Sequence, residues 1–555
     1  MKKITAILLA VAMVLSLAAC TSNSKSTKKT KKTKRTKKTT VETDETEDPT
    51  ETPSESETPT ETETVTETET EPTTLPNVLT FDESLDYLGL STPLEDWGFY
   101  SVFDKNEGET YTYGLIADRL ELPDDSHAAL QQAIDEDIAA IRDAEIDLFY
   151  TEGEQFLNDG AAGKTVSTNI REFRTPIFRS DTQIFSFALT NSKDLAEGEF
   201  LGYNYLSENG QRLTQDDVVL DREGLAQYFS ELFSSPDDDD DYSAWVQQKM
   251  DDILNGKLQF TMSYDAINVL GEGYNFDFSY YVYKIPVIGH EELFNLEYFG
   301  STPNIYSIRG DFDDKLVWDV DGDGVLDEIE AEGGYDGGAG PDSFSLTVRY
   351  NNYTFDSIAE NVNIVSYGVD ELLFMKSDDG NYLYVRMTAP DSFMDTYVFK
   401  IENNKLTYVD IFYDFFRTGG LIDPSCFGVA DILDTLGSGV FYNEVSILSN
   451  GGMPDTLYNY WNSNQKGVTC KKDISGTIVD QNTLDRQGST TISAGSYVRP
   501  YLYNPLTQSL IVEVLNENLD EDIWVELDFK MDDDWNITVD GQNIEDMFYS
   551  IMFWG

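Results

Sequence analysis

Val317–Glu330 reads VWDVDGDGVLDEIE, and the chain around it turns on how this stretch folds. Asp319, Asp321 and Asp323 stand at alternate positions, Gly322 and Gly324 fall between and after them, and Asp327 and Glu330 follow. Carboxylates spaced this way on a tight loop can converge on a divalent cation, and glycine permits the sharp turn. The flanks decide what carries the loop. Leu316, Trp318 and Val320 alternate before it, Ile329 and Ala331 alternate after it, and Gly333 follows soon afterwards. Neither side shows apolar residues at helical spacing, so the pattern predicts strand, loop, strand.

With Asp319 as position one, oxygen donors fall at three (Asp321), five (Asp323), nine (Asp327) and twelve (Glu330). Gly324 is sixth, and Val325 would offer its carbonyl at seven. This is the spacing of an EF-hand calcium loop. On strand flanks the stretch instead resembles the calcium loops of integrin-like and VCBS-type repeats. That resemblance implies Ca2+ held by Asp319, Asp321, Asp323 and Asp327, with Glu330 turned elsewhere. An acidic hairpin without an ion is the third reading. Extracellular modules of this kind bind at about 10⁻⁴–10⁻³ M, so an ion here would stiffen the fold rather than signal.

The surrounding residues repeat the plan. About 58 residues on, LFMKSDDGNYLYVRM gives another strand, Asp-Gly turn and strand, with most of the acidic donors missing. VFYNEVSILS, from Val440, is a weaker third copy. Residues 301–465 are therefore expected to form partial propeller-like β blades. From 466 to 555, short strands and glycine turns resemble a small SH3-like barrel. Trp524, Trp535, Tyr549, Phe553 and Trp554 there would be core or a platform for sugars or peptides.

Residues 76–300 mix periods. Leu130, Ile134, Ile138 and Ile141 share a helical face after Asp125-Ser126, and a second helix should start at Asp221. A third is expected over Ser243–Asn255, with Gly256 as its C-terminal left-handed residue. Strand patterns fall at Thr182–Thr190, Phe200–Leu206, Lys257–Tyr264, Phe276–Ile285 and Leu293–Phe299. The expected class is an α+β N-terminal domain followed by an all-β C-terminal half. The order FRSDTQIFSFAL, GYNYLSENGQRLTQDDVV, FTMSYDAINVL and YKIPVIGHEELFNLEYF resembles the RsiV-like ectodomains. Such domains occur in anti-sigma factors and beside peptidoglycan deacetylase domains. The resemblance implies a fold and a wall-facing habitat, not a reaction. KDLAEGEFLGYN lacks the family's Gly-Gly-x-His stretch.

The N-terminus supplies an address. Residues 1–19, MKKITAILLAVAMVLSLAA, have the charged start and short apolar core of a signal peptide. The core is short for a membrane span. Leu17-Ala18-Ala19-Cys20 resembles a bacterial lipobox, which implies cleavage before Cys20 and acylation there, hence an extracytoplasmic protein held to the cell membrane. Residues 20–75 then form a tether, basic over Lys25–Lys38 and rich in Thr, Glu and Pro from Glu42 to Pro72. With nothing apolar to bury, it is expected to stay disordered. Roughly 55 residues at about 3.3 Å reach about 180 Å, which suits a thick, Gram-positive-type wall.

Composition narrows the functions. The net charge is −64, and the tether's basic and acidic runs nearly cancel, so the acidity belongs to the globular part. Nucleic acid is excluded as a natural partner. Only two histidines exist, His127 and His290, far apart in sequence, which leaves little for a serine triad or a zinc cluster. With Cys20 acylated, Cys426 and Cys470 remain, free or paired. The reading is a lipid-anchored, calcium-stabilised binding or scaffold protein contacting a cell-wall glycan or an extracellular protein. A carboxylate-dependent cell-wall or glycan hydrolase is the alternative.

Overall fold

Alternation along the chain is answered by strands over about half of the described residues. The computed structural model describes residues 79, 81–88, 94–104, 109–122, 125–167, 169–193, 197–234, 240–272, 280–310, 315–335, 344–364, 366, 368–388, 394–412, 415–416, 421–447, 450–463, 467–481, 483–515, 523–532, 536–549, 551 and 553. The signal segment, Cys20 and the tether lie outside them, as do Trp535 and Trp554. Residues 77–234 and 241–555 form one compact unit, described here by itself.

The N-terminal part is α+β. Strands β1 (Leu94–Asp104), β2 (Glu109–Arg119), β3 (Asn169–Arg174), β4 (Ile177–Ser180), β5 (Ile184–Lys193) and β6 (Glu197–Leu206) make one sheet. Its path is β1-β2-β3-β5-β4, with β6 on β5. Only β2–β3 is parallel there, and helix α1 (Ala128–Ala161) is the crossover between the two. Leu130, Ile134 and Ile138 are buried against that sheet. No side chain caps α1; a single 3-10 turn, Asp125–His127, leads in instead. Helix α2 (Arg222–Phe233) starts as expected, with the Asp221 carboxylate accepting from Gly224 N at 3.0 Å. Helix α3 (Asp240–Leu254) ends at Gly256, whose φ of +67° is the left-handed value. These helices share a second core with the antiparallel β7 (Phe260–Met262), β8 (Ala266–Glu272) and β9 (Tyr280–Pro286). The expected strand Leu293–Phe299 is two 3-10 turns, because Asn295 takes Glu297 N onto its side chain and breaks the extension.

Among the described residues the C-terminal half is all β apart from one helical turn, Ile544–Met547. β11 (Lys315–Trp318), β12 (Asp327–Tyr335), β13 (Phe344–Tyr350) and β14 (Tyr353–Asp356) form an antiparallel meander. β15 (Gly368–Ser377), β16 (Gly380–Thr388), β17 (Met394–Glu402) and β18 (Lys405–Phe412) form a second, with β10 (Tyr306–Arg309) on its β15 edge. The two meanders close on one core that includes Trp318, Ile329, Val348, Phe374, Val385 and Phe399.

Beyond them a twelve-stranded sheet begins with β19 (Phe415–Phe416), β20 (Phe427–Asp434), β21 (Ser438–Ser446), β22 (Asp455–Thr456), β23 (Trp461–Ser463) and β24 (Val468–Cys470). It continues with β25 (Ile474–Val479), β26 (Arg486–Ile492), β27 (Tyr497–Asn504), β28 (Ser509–Leu515) and β29 (Ile523–Leu527), and its twelfth strand, β30 (Phe548–Tyr549), pairs with β24. Strands on both sides of residue 465 thus share one hydrogen-bonded sheet, through the pairing of β23 with β27. Its core runs from Leu373 to Phe548.

The short segment before β1 fastens the two halves. Phe81 meets Trp318 edge-on at 4.8 Å, Asp82 bridges Ser301, and Tyr87 bridges Asp181. Arg179 and Asp181, both fully buried, pair at 2.6 Å, and the Arg179 guanidinium lies 4.9 Å from the centre of the Tyr264 ring.

Candidate metal centre

The acidic stretch folds as strand, loop, strand. β11 and β12 pair in register from Lys315↔Glu330 to Trp318↔Asp327, which leaves Asp319–Leu326 as the loop. Trp318 anchors its start; the indole is buried and donates to Tyr306 Oη at 2.9 Å. Gly322 and Gly324 take φ of +77° and +82°, a region that a side chain would strain.

Three carboxylates converge. One oxygen each from Asp319, Asp321 and Asp327 lies within 4.8 Å of the other two. Asp319 and Asp327 are buried and Asp321 is half-buried. Asp319 is held as a turn hub: Oδ1 accepts from Gly322 N at 2.8 Å and Asp323 N at 3.1 Å, and Oδ2 from Gly324 N at 2.9 Å. Asp327 accepts from Val320 N at 3.0 Å and from Asn351 Nδ2 at 2.6 Å. Burial pushes the Asp327 carboxyl above its ordinary range, and the charges of Asp321 and Asp319 push the same way. A cation among the three would relieve that repulsion.

The other expected ligands are placed differently. Asp323 is exposed and accepts from Val325 N at 2.8 Å; it is not among the three that converge. Val325 itself is exposed at the loop tip. Glu330 belongs to β12, where it faces Lys315 and Arg349 at 3.9 and 3.8 Å. The flanking strands explain this: residue twelve continues the ladder, whereas a helix would bring it back over the loop.

Two asparagines complete the surroundings. Asn351, in the β13–β14 turn with φ +48°, donates to Asp327, and its Oδ1 accepts from Glu328 N at 3.0 Å. Asn381, at the β15–β16 turn, donates to Val320 O at 2.7 Å. The pair Asn351-Asn352 between two tyrosines was readable as a hairpin turn. What that turn touches depends on how the strands register.

The remaining sequence candidates are not among the converging carboxylates. His290 stacks on Tyr228 with centroids 3.6 Å apart, and His127 Nδ1 lies 3.4 Å from Ser207 O. Cys426 and Cys470 are free thiols, each pushed up to about 12 chiefly by burial. Trp524 is half-buried beside Tyr501 at 4.5 Å. Tyr549 sits on β30 with Lys471 Nζ 5.0 Å from its ring, and Phe553 is exposed. No helix among the described residues is long and apolar enough to cross a membrane.

No protein-family model matches the chain, and no curated protein does. Among solved structures it is similar to a DUF3298-family protein of Bacteroides fragilis. That similarity has a TM-score of 0.24 and 10% identity over 38% of this chain and 94% of the other. A likeness this loose supports no statement about fold or function.

Proposed function

We propose that this protein is a lipid-anchored, extracytoplasmic binding or scaffold protein of a Gram-positive-type cell envelope, with its β half braced by calcium. The carrying observation is the convergence of Asp319, Asp321 and Asp327 on a glycine-bearing loop between two strands. Its donors are all hard carboxylate oxygens, the set that suits calcium rather than zinc or copper. The lipobox-like Leu17–Cys20 and the long polar tether support the address. On this reading the RsiV-like and calcium-repeat resemblances describe modules that hold a wall glycan or an extracellular protein. The acidic surface favours cations and uncharged ligands over polyanions.

Terbium stands in for calcium and is sensitised by a nearby indole. Trp318 adjoins Asp319, so titrated terbium should luminesce and calcium should quench it. Removing calcium with a chelator should lower the melting temperature of the β half. At 2 mM calcium and a dissociation constant of about 10⁻⁴ M, the linked stabilisation is about 1.8 kcal/mol. A melting curve indifferent to the chelator, with no terbium signal, removes the ion from the account. Incubating the full chain with isolated sacculi tests the rest: retention without released fragments supports binding, and soluble fragments support the hydrolase.

A further inference from the structure

Leu79 and residues 81–88 are the first described residues after the tether, and they belong to no strand or helix. Two isolated bridges, Asp82 to Ser301 and Tyr87 to Asp181, are their regular pairing. Their apolar side chains nevertheless enter three cores. Leu79 is buried with α2, α3 and β7–β9, and Leu88 with α1 and its sheet. Phe81 packs against the first of these cores and against the core of the two meanders. The backbone is attached at two places. Thr302 N donates to Asp82 O at 2.9 Å, and Leu85 N donates to Thr302 O at 3.2 Å. Further on, Thr182 N donates to Asp86 O at 2.9 Å, and Leu88 N to Ser180 O at 3.4 Å. Side chains add Glu83 on Lys376 of β15 and the Tyr87 hydroxyl on the Asp423 carboxylate. A segment held by a few separate bonds opens locally before a continuous ladder does.

We propose that residues 79–88 are a strap through which tension on the tether controls cation binding at the Asp319–Leu326 loop, which rests on the calcium and anchor readings above. The link is one aromatic contact. Phe81 meets the Trp318 indole edge-on, with centroids 4.8 Å apart and planes at 84°. On its other contacts the indole is held by Tyr306, which accepts from Nε1 at 2.9 Å and whose ring centroid lies 6.2 Å away. The next residue is Asp319, the hub that orders the loop through Gly322, Asp323 and Gly324 N–H groups.

Chain order sets the sequence of events. A pull on the tether reaches Leu79 first, then Phe81, then the Asp82–Thr302 attachment. Phe81 therefore leaves Trp318 early, while the second attachment at Ser180–Thr182 still holds. Its departure uncovers one side of a buried indole and removes a support from the backbone that aims Asp319. Cation affinity then falls. The coupling is reciprocal: a bound cation fixes Asp319 and Trp318, and so retains the strap.

Terbium titration of the full chain reads the coupling without force. Phe81→Ala should weaken terbium binding about threefold to tenfold. Glu83→Gln, in the same strap with a side chain 43% exposed, should leave it unchanged. Hydrogen exchange reads the reverse direction: calcium should slow the Leu85 and Leu88 amides in the parent and not in Asp319→Ala. Force reads the strap itself. With the chain held by its tether and by a handle on Leu506→Cys, a position 87% exposed, the strap should come away as a first step of about 3 nm, roughly ten residues at about 3.3 Å each, at a force that calcium raises. Terbium affinity untouched by Phe81→Ala, or Leu85 and Leu88 exchange indifferent to calcium that the parent binds, overturns the strap and leaves the ion site standing. A loss in Glu83→Gln as large as in Phe81→Ala overturns the ring contact as the link. A parent chain that binds no terbium overturns both the ion site and the strap.

Discussion

The two meanders carry Asp-Gly turns at the same place, between a strand of the first pair and its partner, yet the turns behave differently. At β11–β12 the loop spans Asp319–Leu326 and gathers three carboxylates. At β15–β16 it has shrunk to Asp378-Asp379 between Ser377 and Gly380, which pair directly. Asp379 there accepts from Ser377 Oγ at 2.7 Å and Tyr382 Oη at 3.1 Å. Its charge is met by hydroxyls of its own hairpin. The longer loop carries no hydroxyl of its own; backbone N–H groups, with Asn351 and the Tyr350 hydroxyl from the next hairpin, meet its carboxylates, three of which still face one another. One turn closes on itself and the other gathers three carboxylates that could hold a cation. Their contact, Asn381 to Val320 O, makes the closed turn a brace for the open one.

The largest expected effect separates the two aspartates. Asp319→Ala removes the acceptor of three backbone N–H groups and one member of the converging set. Hydrogen bonds to a charged group contribute about 1.5–3 kcal/mol each at most, and the linked calcium stabilisation disappears as well. Asp379→Ala removes two hydroxyl contacts from an exposed carboxylate, where water takes their place, and should cost about 1 kcal/mol. In calcium, thermal melts should show Asp319→Ala well below Asp379→Ala; in chelator the gap should narrow. Equal shifts in both conditions erase the distinction between the turns.

A smaller effect measures the brace. Asn381→Ala deletes one hydrogen bond, worth about 1 kcal/mol, and the loss reaches the other meander through Val320 O. Terbium affinity should fall a few-fold although no acidic residue has changed. Coupling of this sort is reciprocal, so calcium should protect the β15–β16 turn from hydrogen exchange in the parent and less in the variant. Unchanged affinity would make the two turns independent.

How much of this was legible beforehand follows from the range of each interaction. Local signals succeeded: the alternation around Trp318 gave the strands, Asp221 gave a helix start, and the α+β to all-β order followed from periodicity. Spacing also named Asp319, Asp321 and Asp327. It could not tell them from Asp323, because one count serves all four; Glu330 was set aside only through the resemblance to strand-borne loops. Asn351 and Asn381 were invisible for a different reason. Their partners, Asp327 and Val320, lie 24 and 61 residues away and meet them only once the meanders register. The neighbours of Trp524 were hidden likewise: it was named with Trp535, Tyr549, Phe553 and Trp554, while Tyr501 and Arg486 join it through pairing of distant strands.

Glu330 gives the smallest and most discriminating change. The counting that makes it a twelfth-position ligand gives Glu330→Gln the same standing as a substitution at Asp319. The ladder gives it two cations at 3.9 and 3.8 Å on a side chain 41% exposed. Ion pairs this open contribute about 0–1 kcal/mol and weaken with salt. Glu330→Gln should therefore shift the melting temperature slightly, by an amount that fades at high ionic strength, and leave terbium affinity unchanged. A tenfold loss of affinity would mean that the carboxylate swings from Lys315 and Arg349 to the ion, and the loop would then bind as its helical counterpart does.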